Sequence, residues 1–325
     1  MHFAYPPRKS SHPPAYPARG LSRSLSYNQR RQLKIGAIIL CSLVFLILVL
    51  SRLFSSGMER IPPGTPEVVI VTVIDEENMS KDYIAKVQDN RKEYAARHGY
   101  ATFFPTVSSY PSINDSPRTW SLVPALRHAL TLHPHSTYLF ALSPHALIMN
   151  PTLNLRTHIL APKRLEKLML RDKPVVPPDS VIKTFGNLKG DRIDLVLTQD
   201  GEGLCPGSFV LKNGEWAQFF LDTWFDPLYR SYNFQKAEAH ALEHIVQWHP
   251  TILTKLALIP QRTLNTYNTD IASRGGADAL YQDGDFVVRL VGCDTDAARS
   301  CEAEFEAMRV KLGARKMREG LKGGG

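Results

Sequence analysis

Apolar residues in the middle of the chain form short runs, which are separated by amphipathic stretches. Val68–Ile74 is a continuous β-branched run, typical of a parallel strand covered on both faces. Ser80–His98 has a helical pattern and is followed by Gly99, a residue type that closes helices. Tyr100–Phe104 and Tyr138–Leu142 predict two more strands, with a helix between them. This β-α-β-α-β order predicts an α/β fold with a doubly wound sheet.

The second half of the chain is less regular, but its elements are of the same kinds. A glycine-rich loop at 199–208 separates two predicted strands. Neither an internal repeat nor a second hydrophobic core is evident, so we expect one folded domain over 67–313. The further predicted elements are strands at 193–198, 209–211, 256–260 and 286–291, and helices at 215–224 and 237–248.

An apolar run near the N-terminus, Ile35–Leu50, is long enough for a membrane-spanning helix. A cleaved signal peptide is disfavoured because the run starts late and no small-residue cleavage site follows. The basic residues before the run place the N-terminus in the cytosol, which gives a type II orientation. The predicted organisation is a disordered basic cytosolic tail (1–34), a transmembrane signal anchor (35–54), a stem (55–66), a luminal domain (67–313) and a loose basic C-terminus (314–325).

The net charge of +8 comes mostly from the N-terminal tail. Lys and Arg total 39 and Asp and Glu total 31, and seven of the basic residues precede Ile35. The remainder is therefore close to neutral. Nucleic-acid binding needs a basic face on the folded domain, so this class of function is excluded.

Cysteines and sequons agree with a luminal location. Asn78 and Asn114 begin N-glycosylation sequons that both follow the anchor. Cys293 and Cys301 are eight residues apart, and in an oxidising lumen we expect a disulfide between them. Two buried thiols are the alternative. With the disulfide formed, Cys205 is left unpaired.

Ligands of open α/β sheets bind just beyond the carboxyl ends of the strands. Thr72 and Asp75 end the first strand, where a nucleoside base and ribose would lie. Asp75 is equally suited to cap a helix. Asp200, in the glycine-rich loop after a strand, is a candidate for sugar recognition or catalysis. The Tyr138–Leu142 strand breaks at Ser143, where a sugar-nucleotide enzyme usually has two aspartates that hold a cation.

A short motif in the helix at 237–248 indicates a different chemistry. His240, Glu243 and His244 spell H-x-x-E-H, an inverted zinc-protease motif. On a helix the two histidines lie one turn apart and are able to share a zinc ion. A protease needs a further acidic ligand and a helical scaffold, which the β-rich surroundings do not supply.

Several segments, in the same order over about 240 residues, resemble glycosyltransferase family thirty-four, the galactosyl/mannosyl transferases of the fungal Golgi and their plant relatives. No single segment is decisive, but the ordered set is a strong signal. The matching segments are Asn90–Tyr100, Leu147–Pro151, Gly207–Leu211, Leu221–Trp224, Glu238 with Ala241–His244, Pro260–Arg262 with Asn265, Asp283–Val287 and Gly292–Cys293.

Within this family the chain resembles the fungal α-1,6-mannosyltransferase subunits of the mannan polymerase complex. The resemblance implies a GT-A-type, Rossmann-like fold and a retaining transfer from GDP-mannose to the α-1,6-mannan of N-glycans. It also implies a Golgi membrane location, other mannosyltransferase subunits as partners, and Mn²⁺. It indicates Asp200 and Glu238 as catalytic residues. The donor-binding candidates are Thr72, Asp75, Ser143, His145, Gly207, Arg262 and Arg289.

The chain departs from the family pattern where a metal would bind. The family's Asp-x-Asp falls on Ser143 and His145, and its late metal-binding histidine falls on Arg289. No cofactor therefore follows from the sequence. Three interpretations remain open: a metal-free enzyme in which Arg289 supplies the positive charge, a catalytically silent subunit that scaffolds an active transferase, and metal binding retained through His145 with Asp200 or another acid.

Overall fold

The computed structural model describes residues 27–54, 61–111, 116–176 and 180–322. The chain divides into two compact units, Met1–Ile61 and Pro62–Gly325. The first unit contains helix α1, Tyr27–Phe54. An 18-residue window within its segment Tyr27–Ser51 has a mean hydropathy of 2.8, so the helix is, by length and composition, able to cross a membrane.

The predicted anchor lies within α1, but the helix starts earlier than expected. Residues 27–34 belong to it, although they were assigned to the irregular tail. Helices extend beyond their apolar part because each added residue contributes a backbone hydrogen bond once the first turn has formed. The rest of the predicted tail and the first half of the predicted stem, 55–60, lie outside the described residues.

The second unit alternates strands with helices in chain order. Its strands are β1 (Val68–Val71), β2 (Ala101–Phe103), β3 (Tyr138–Leu142), β4 (Ala146–Ile148), β5 (Leu195–Leu197), β6 (Gln199–Asp200), β7 (Gly203–Leu204), β8 (Ser208–Lys212), β9 (Leu256–Leu258), β10 (Thr266–Tyr267) and β11 (Val287–Arg289). Its α-helices are α2 (Lys81–His98), α3 (Leu122–Leu132), α4 (Pro162–Leu168), α5 (Glu215–Trp224), α6 (Pro227–Ser231), α7 (Ala237–Trp248), α8 (Pro250–Leu253) and α9 (Cys301–Lys322).

The main sheet has six strands in the order β2-β1-β3-β8-β5-β9. The first three strands are parallel, as the sequence predicts. β8 runs antiparallel to both β3 and β5, so the sheet is mixed rather than uniformly doubly wound. The reason is the short connection between β5 and β8, because a parallel neighbour needs a crossover of a dozen or more residues.

Both faces of this sheet are covered. Val69 and Val71 of β1 belong to a core cluster with residues of α3, α5 and α7. The alternate residues, Val68 and Ile70, belong to a second cluster on the other face, with Tyr94 of α2. All four valine and isoleucine side chains of β1 are fully buried. This agrees with the prediction of a strand covered on both faces.

A three-stranded sheet, β10-β11-β4, lies beside the carboxyl end of β3. β11 runs antiparallel to β4, and Arg289 is the register partner of Ala146. β4 starts four residues after β3 ends, so the short Ser143–His145 loop joins the two sheets.

The C-terminal helix α9 corrects a prediction. We expected the domain to end at 313 and residues 314–325 to be loose, but the helix continues to Lys322. Phe305, Met308 and Leu312 recur at helical spacing and are buried in a cluster with residues of α2 and β4. This buried stripe holds the helix on the domain.

The predicted disulfide between Cys293 and Cys301 is confirmed, with the two Cα atoms 5.0 Å apart. Cys205 is buried and unpaired, also as predicted. The predicted α/β architecture is likewise confirmed: the domain is a mixed α/β fold with parallel strands, and one N-terminal apolar helix precedes it in the chain.

Candidate active site

A cavity of about 690 Å³ opens at the carboxyl ends of β1 and β3. Its position agrees with the rule for open α/β sheets. The cavity brings together six of the nine predicted catalytic and donor-binding residues, from five separate segments. These six lining residues are Asp75, Ser143, His145, Gly207, Glu238 and Arg289.

The loop that carries Ser143 and the strand β4 that follows it are held in place by two residues of α2, the buried Arg91 and the half-buried Asn90. Arg91 is fully buried and donates from Nη2 to the carbonyl oxygens of Ser143, at 2.8 Å, and of Ala146, at 2.7 Å. Asn90 forms two hydrogen bonds with the backbone of Ile148, at 3.0 and 3.1 Å. Burial lowers the pKa of Arg91 to about 9. Sequence analysis had assigned no role to Arg91, although it lies in a segment that matches the family.

The side chain of His145 is held in place by an aromatic neighbour, not by groups of the kind that bind metal ions. Its Nδ1 is 3.0 Å from the hydroxyl of Tyr83, and the two rings are stacked with centroids 6.0 Å apart. Burial lowers the pKa of His145, and the charges of Arg289 and Arg91 lower it further, against the charge of Asp294. The imidazole is therefore neutral at neutral pH.

Arg289 reaches the cavity because β11 pairs with β4. Its register partner is Ala146, so the arginine is adjacent to the Ser143–His145 loop. Its guanidinium lies against Gly207: a Cβ at that glycine would be 2.6 Å from Nε and 2.8 Å from Nη1. The guanidinium forms no hydrogen bond or ion pair with any residue that the structure describes. Its positive charge is therefore available to a ligand.

Glu238 lies in the first turn of α7 and is 9% exposed. Trp224 donates from Nε1 to its carbonyl oxygen, at 2.8 Å, which fixes the backbone. Within the described part of the chain, the carboxyl oxygen Oε2 has no hydrogen-bond partner. Burial raises the pKa of Glu238, while Thr119 and the charge of Arg289 act in the opposite direction. A buried polar atom without a partner is costly, so this oxygen is suited to meet a ligand.

Asp75 is already occupied by protein groups. Arg118 donates to both of its oxygens, at 2.9 and 2.7 Å, and Asn78 donates from Nδ2 at 2.8 Å. Burial acts to raise the pKa of Asp75, but these hydrogen bonds outweigh it and the pKa is lowered. A ribose hydroxyl would have to replace one of them. The Asn78 amide, predicted to carry a glycan, lies at the rim of this cavity.

Asp200, a predicted catalytic residue, is not brought into the cavity. Its Oδ2 accepts hydrogen bonds from the Tyr267 hydroxyl, at 2.6 Å, and from Arg274, at 3.0 Å. Its Oδ1 accepts the backbone N–H groups of Glu202 and Gly203. Both oxygens of this buried carboxylate are therefore used within the protein, which favours a structural role.

Two predicted donor-binding residues also lie outside the cavity lining. Arg262 forms an ion pair with Asp285, at 3.0 Å. Thr72 is fully buried behind the end of β1. Asn114, the second predicted glycosylation site, lies outside the described residues.

The residues at this site do not fit Mn²⁺, which favours carboxylate and other oxygen ligands. In the described chain, three potential ligand atoms come within 4.8 Å of one another at His145, Cys293 and Cys301 alone. The two sulfurs of that group are joined in a disulfide and are not thiolates. Asp75 is engaged by Arg118, and Asp200 is not a lining residue, so neither completes a ligand set with His145.

The H-x-x-E-H motif has a structural explanation. Glu243 accepts the backbone N–H of Leu204 at 3.0 Å, which holds the β6–β7 hairpin against α7. His244 packs against the rings of Tyr229 and Phe234. Within the described residues these side chains form no metal-ligand group. The zinc-protease interpretation therefore has no support.

Comparison with known proteins identifies relatives of this chain. An uncharacterized alpha-1,2-galactosyltransferase of Schizosaccharomyces pombe is 32% identical over 252 residues, 75% of this chain and 75% of that protein. Probable alpha-1,6-mannosyltransferase MNN10 of Saccharomyces cerevisiae is 31% identical over 236 residues, 67% of this chain and 57% of that protein. Probable alpha-1,6-mannosyltransferase MNN11 of the same yeast is 28% identical over 265 residues, 76% of this chain and 62% of that protein.

Among solved structures, a glycosyltransferase involved in the glycosylation of the major capsid of PBCV-1 has a TM-score of 0.47 at 11% identity. The match covers 75% of this chain and 100% of that one. The model of the galactosyl transferase GMA12/MNN10 family matches residues 64–301, which is most of the chain. The chain therefore belongs to the galactosyl transferase GMA12/MNN10 family.

Proposed function

We propose that this glycosyltransferase transfers mannose from GDP-mannose to the α-1,6-mannan of N-glycans, with retention of configuration. Family membership supports sugar transfer, and the names of MNN10 and MNN11 support the mannosyl donor. The observation that carries the proposal is the pairing of two unsatisfied groups in one cavity. Arg289 offers a free guanidinium, and Glu238 offers a free carboxyl oxygen.

The two groups would bind different parts of the sugar-nucleotide donor. The Arg289 fork matches the geometry of phosphate oxygens and would stabilise the negative charge of the leaving diphosphate. Glu238 would accept a hydrogen bond from a sugar hydroxyl. The bond from C1 to the diphosphate oxygen breaks with its electron pair on the diphosphate. The acceptor oxygen forms the new bond to C1 from the same face, and its proton passes to the diphosphate.

The location and partners belong to the same proposal. Helix α1 would anchor the chain as a single-pass type II protein of the Golgi membrane, with the second unit in the lumen. Other mannosyltransferase subunits would assemble with it, as in the mannan polymerase. The disulfide between Cys293 and Cys301 is consistent with an oxidising compartment.

A second candidate function is a catalytically silent subunit that positions an active transferase. One observation favours it: the loop position that holds the metal-binding acids in this family is occupied by Ser143 and His145. In this case the cavity would bind no donor, and the chain would contribute only surfaces that contact the active transferase.

An activity assay separates these functions. The full chain, purified in detergent, is incubated with GDP-mannose or UDP-galactose and a short α-1,6-mannan acceptor, and the products are analysed by mass spectrometry. We expect mannose transfer, which Glu238→Gln abolishes and the exposed Asp222→Asn leaves unchanged. Transfer from UDP-galactose alone would show that the donor is wrong. No transfer from either donor, with no donor binding, would favour the silent subunit.

A further inference from the structure

We propose that Arg289 takes the place of the divalent cation, so that the donor diphosphate is bound and released without a metal ion. This inference rests on the proposed function, because it concerns the same donor site. It goes further by assigning the positive charge that the reaction needs to one side chain of this chain.

The first argument is position. Arg289 pairs with Ala146 across the β11–β4 ladder, and Leu290 donates its backbone N–H to the carbonyl oxygen of His145 at 2.8 Å. Two connections therefore place the arginine beside the Ser143–His145 loop. A cation held at the end of β3 would occupy the same part of the cavity. The guanidinium thus brings positive charge to the point where the metal's charge would act.

The second argument is availability. Arg91 donates its hydrogen bonds to two backbone carbonyls and to Asn90 Oδ1, and Arg118 forms ion pairs with Asp75 and Glu77. Arg289, in contrast, has no hydrogen-bond or ion-pair partner anywhere in the described chain. It is only partly buried and lines the cavity. An unpaired guanidinium in a cavity is suited to bind an anion, because its five N–H donors match phosphate oxygens in bidentate geometry.

The third argument is that the surroundings suit an arginine better than a metal. Gly207 provides the room, because any Cβ there would be within 2.8 Å of three guanidinium atoms. Ser143 and His145 carry no carboxylate, so neither forms an ion pair with the guanidinium. Two aspartates at these positions would form ion pairs with Arg289 and compete with the diphosphate. Their replacement leaves the guanidinium open to the ligand.

The test is calorimetric binding of GDP, UDP and GMP to the full chain in detergent, with either Mn²⁺ or EDTA. We expect a diphosphate nucleotide to bind with the same Kd in both conditions. Arg289→Ala should weaken this binding by about 10- to 100-fold, the range for a charged hydrogen bond, and should affect GMP much less. Arg289→Lys keeps the charge without the fork and should lie between the two. Arg192→Ala removes an exposed arginine outside the cavity and is the matched control.

The outcomes separate this inference from the proposed function. Binding that needs Mn²⁺, or that is unchanged in Arg289→Ala, would overturn the arginine site and leave the transferase intact. No binding of either diphosphate nucleotide in any condition would overturn the proposed function, and the inference with it. Equal thermal unfolding midpoints of the wild type, Arg289→Ala and Arg289→Lys would show that a loss of binding is not a loss of folding. If Arg289→Ala does not fold, the comparison of nucleotide binding by Arg289→Lys and by the wild type is the test.

Discussion

Replacing Arg91 with methionine tests whether this buried arginine holds the loop at the floor of the active site. The change keeps most of the side-chain volume and removes the guanidinium. Three hydrogen bonds of the guanidinium are lost, to the carbonyl oxygens of Ser143 and Ala146 at 2.8 and 2.7 Å and to Asn90 Oδ1 at 3.1 Å. A hydrogen bond to a charged group contributes about 1.5–3 kcal/mol, and the arginine's own burial costs part of this. We therefore expect a net loss of about 3–5 kcal/mol in the free energy of unfolding.

The assay is thermal unfolding of the full chain in detergent, followed by circular dichroism. For a domain of this size each kcal/mol lowers the midpoint by about 2–4 °C, so a fall of roughly 10 °C is expected. Lys92→Met is the matched control, because Lys92 is adjacent and exposed, and it should change stability by less than about 0.5 kcal/mol. Nucleotide binding should also weaken below the midpoint, since the loop loses its support. Equal midpoints for the two variants would refute this reasoning.

Three further predictions concern single features of the fold. Burial raises the pKa of Glu243 from 4.5 to about 7, so the folded state holds an extra proton between these values. Urea titrations of the wild type should therefore show stability falling as pH rises through this window, by up to about 3 kcal/mol more than those of Glu243→Gln; equal pH dependence of the two proteins would contradict this. Replacing both Cys293 and Cys301 with serine should lower the free energy of unfolding by about 2.5 kcal/mol, because the unfolded chain gains the entropy of an eight-residue loop. Dithiothreitol should lower the unfolding midpoint of the wild type by the same amount, and a midpoint that does not respond to the reductant would contradict this. Gly207→Ala should displace the flexible end of the Arg289 side chain and so weaken GDP binding several-fold, without changing the unfolding midpoint. Unchanged binding would show that the position of the guanidinium does not depend on this glycine.

Local sequence signals accounted for much of the fold. Helix α2 has the bounds expected from its caps: the Ser80 hydroxyl accepts the Tyr83 N–H at 3.0 Å, and Gly99 has a φ of 69°. Helix α9 was not predicted, although Phe305, Met308 and Leu312 recur at helical spacing in the sequence. Its stability comes from contacts with distant elements, which composition does not reveal.

Site residues were predictable from the sequence where their position at the end of a strand is enough to place them in the cavity. Ser143 and His145 lie at a strand end, and strand ends converge on one edge of a sheet. Asp200 gave the same signal, yet its partners Tyr267 and Arg274 are 67 and 74 residues away in sequence. Only the tertiary structure shows that they occupy both of its oxygens. For the same reason, Arg91 was not distinguishable from a solvent-exposed helix arginine.

An experimental structure of the full chain with GDP, prepared in EDTA, tests the central claim most directly. The claim is that one arginine replaces the cation of the donor site. It predicts guanidinium nitrogens of Arg289 within hydrogen-bond distance of the diphosphate oxygens, with the nucleoside toward Asp75. A diphosphate that lies away from Arg289, or that becomes ordered only when Mn²⁺ is added, would contradict it.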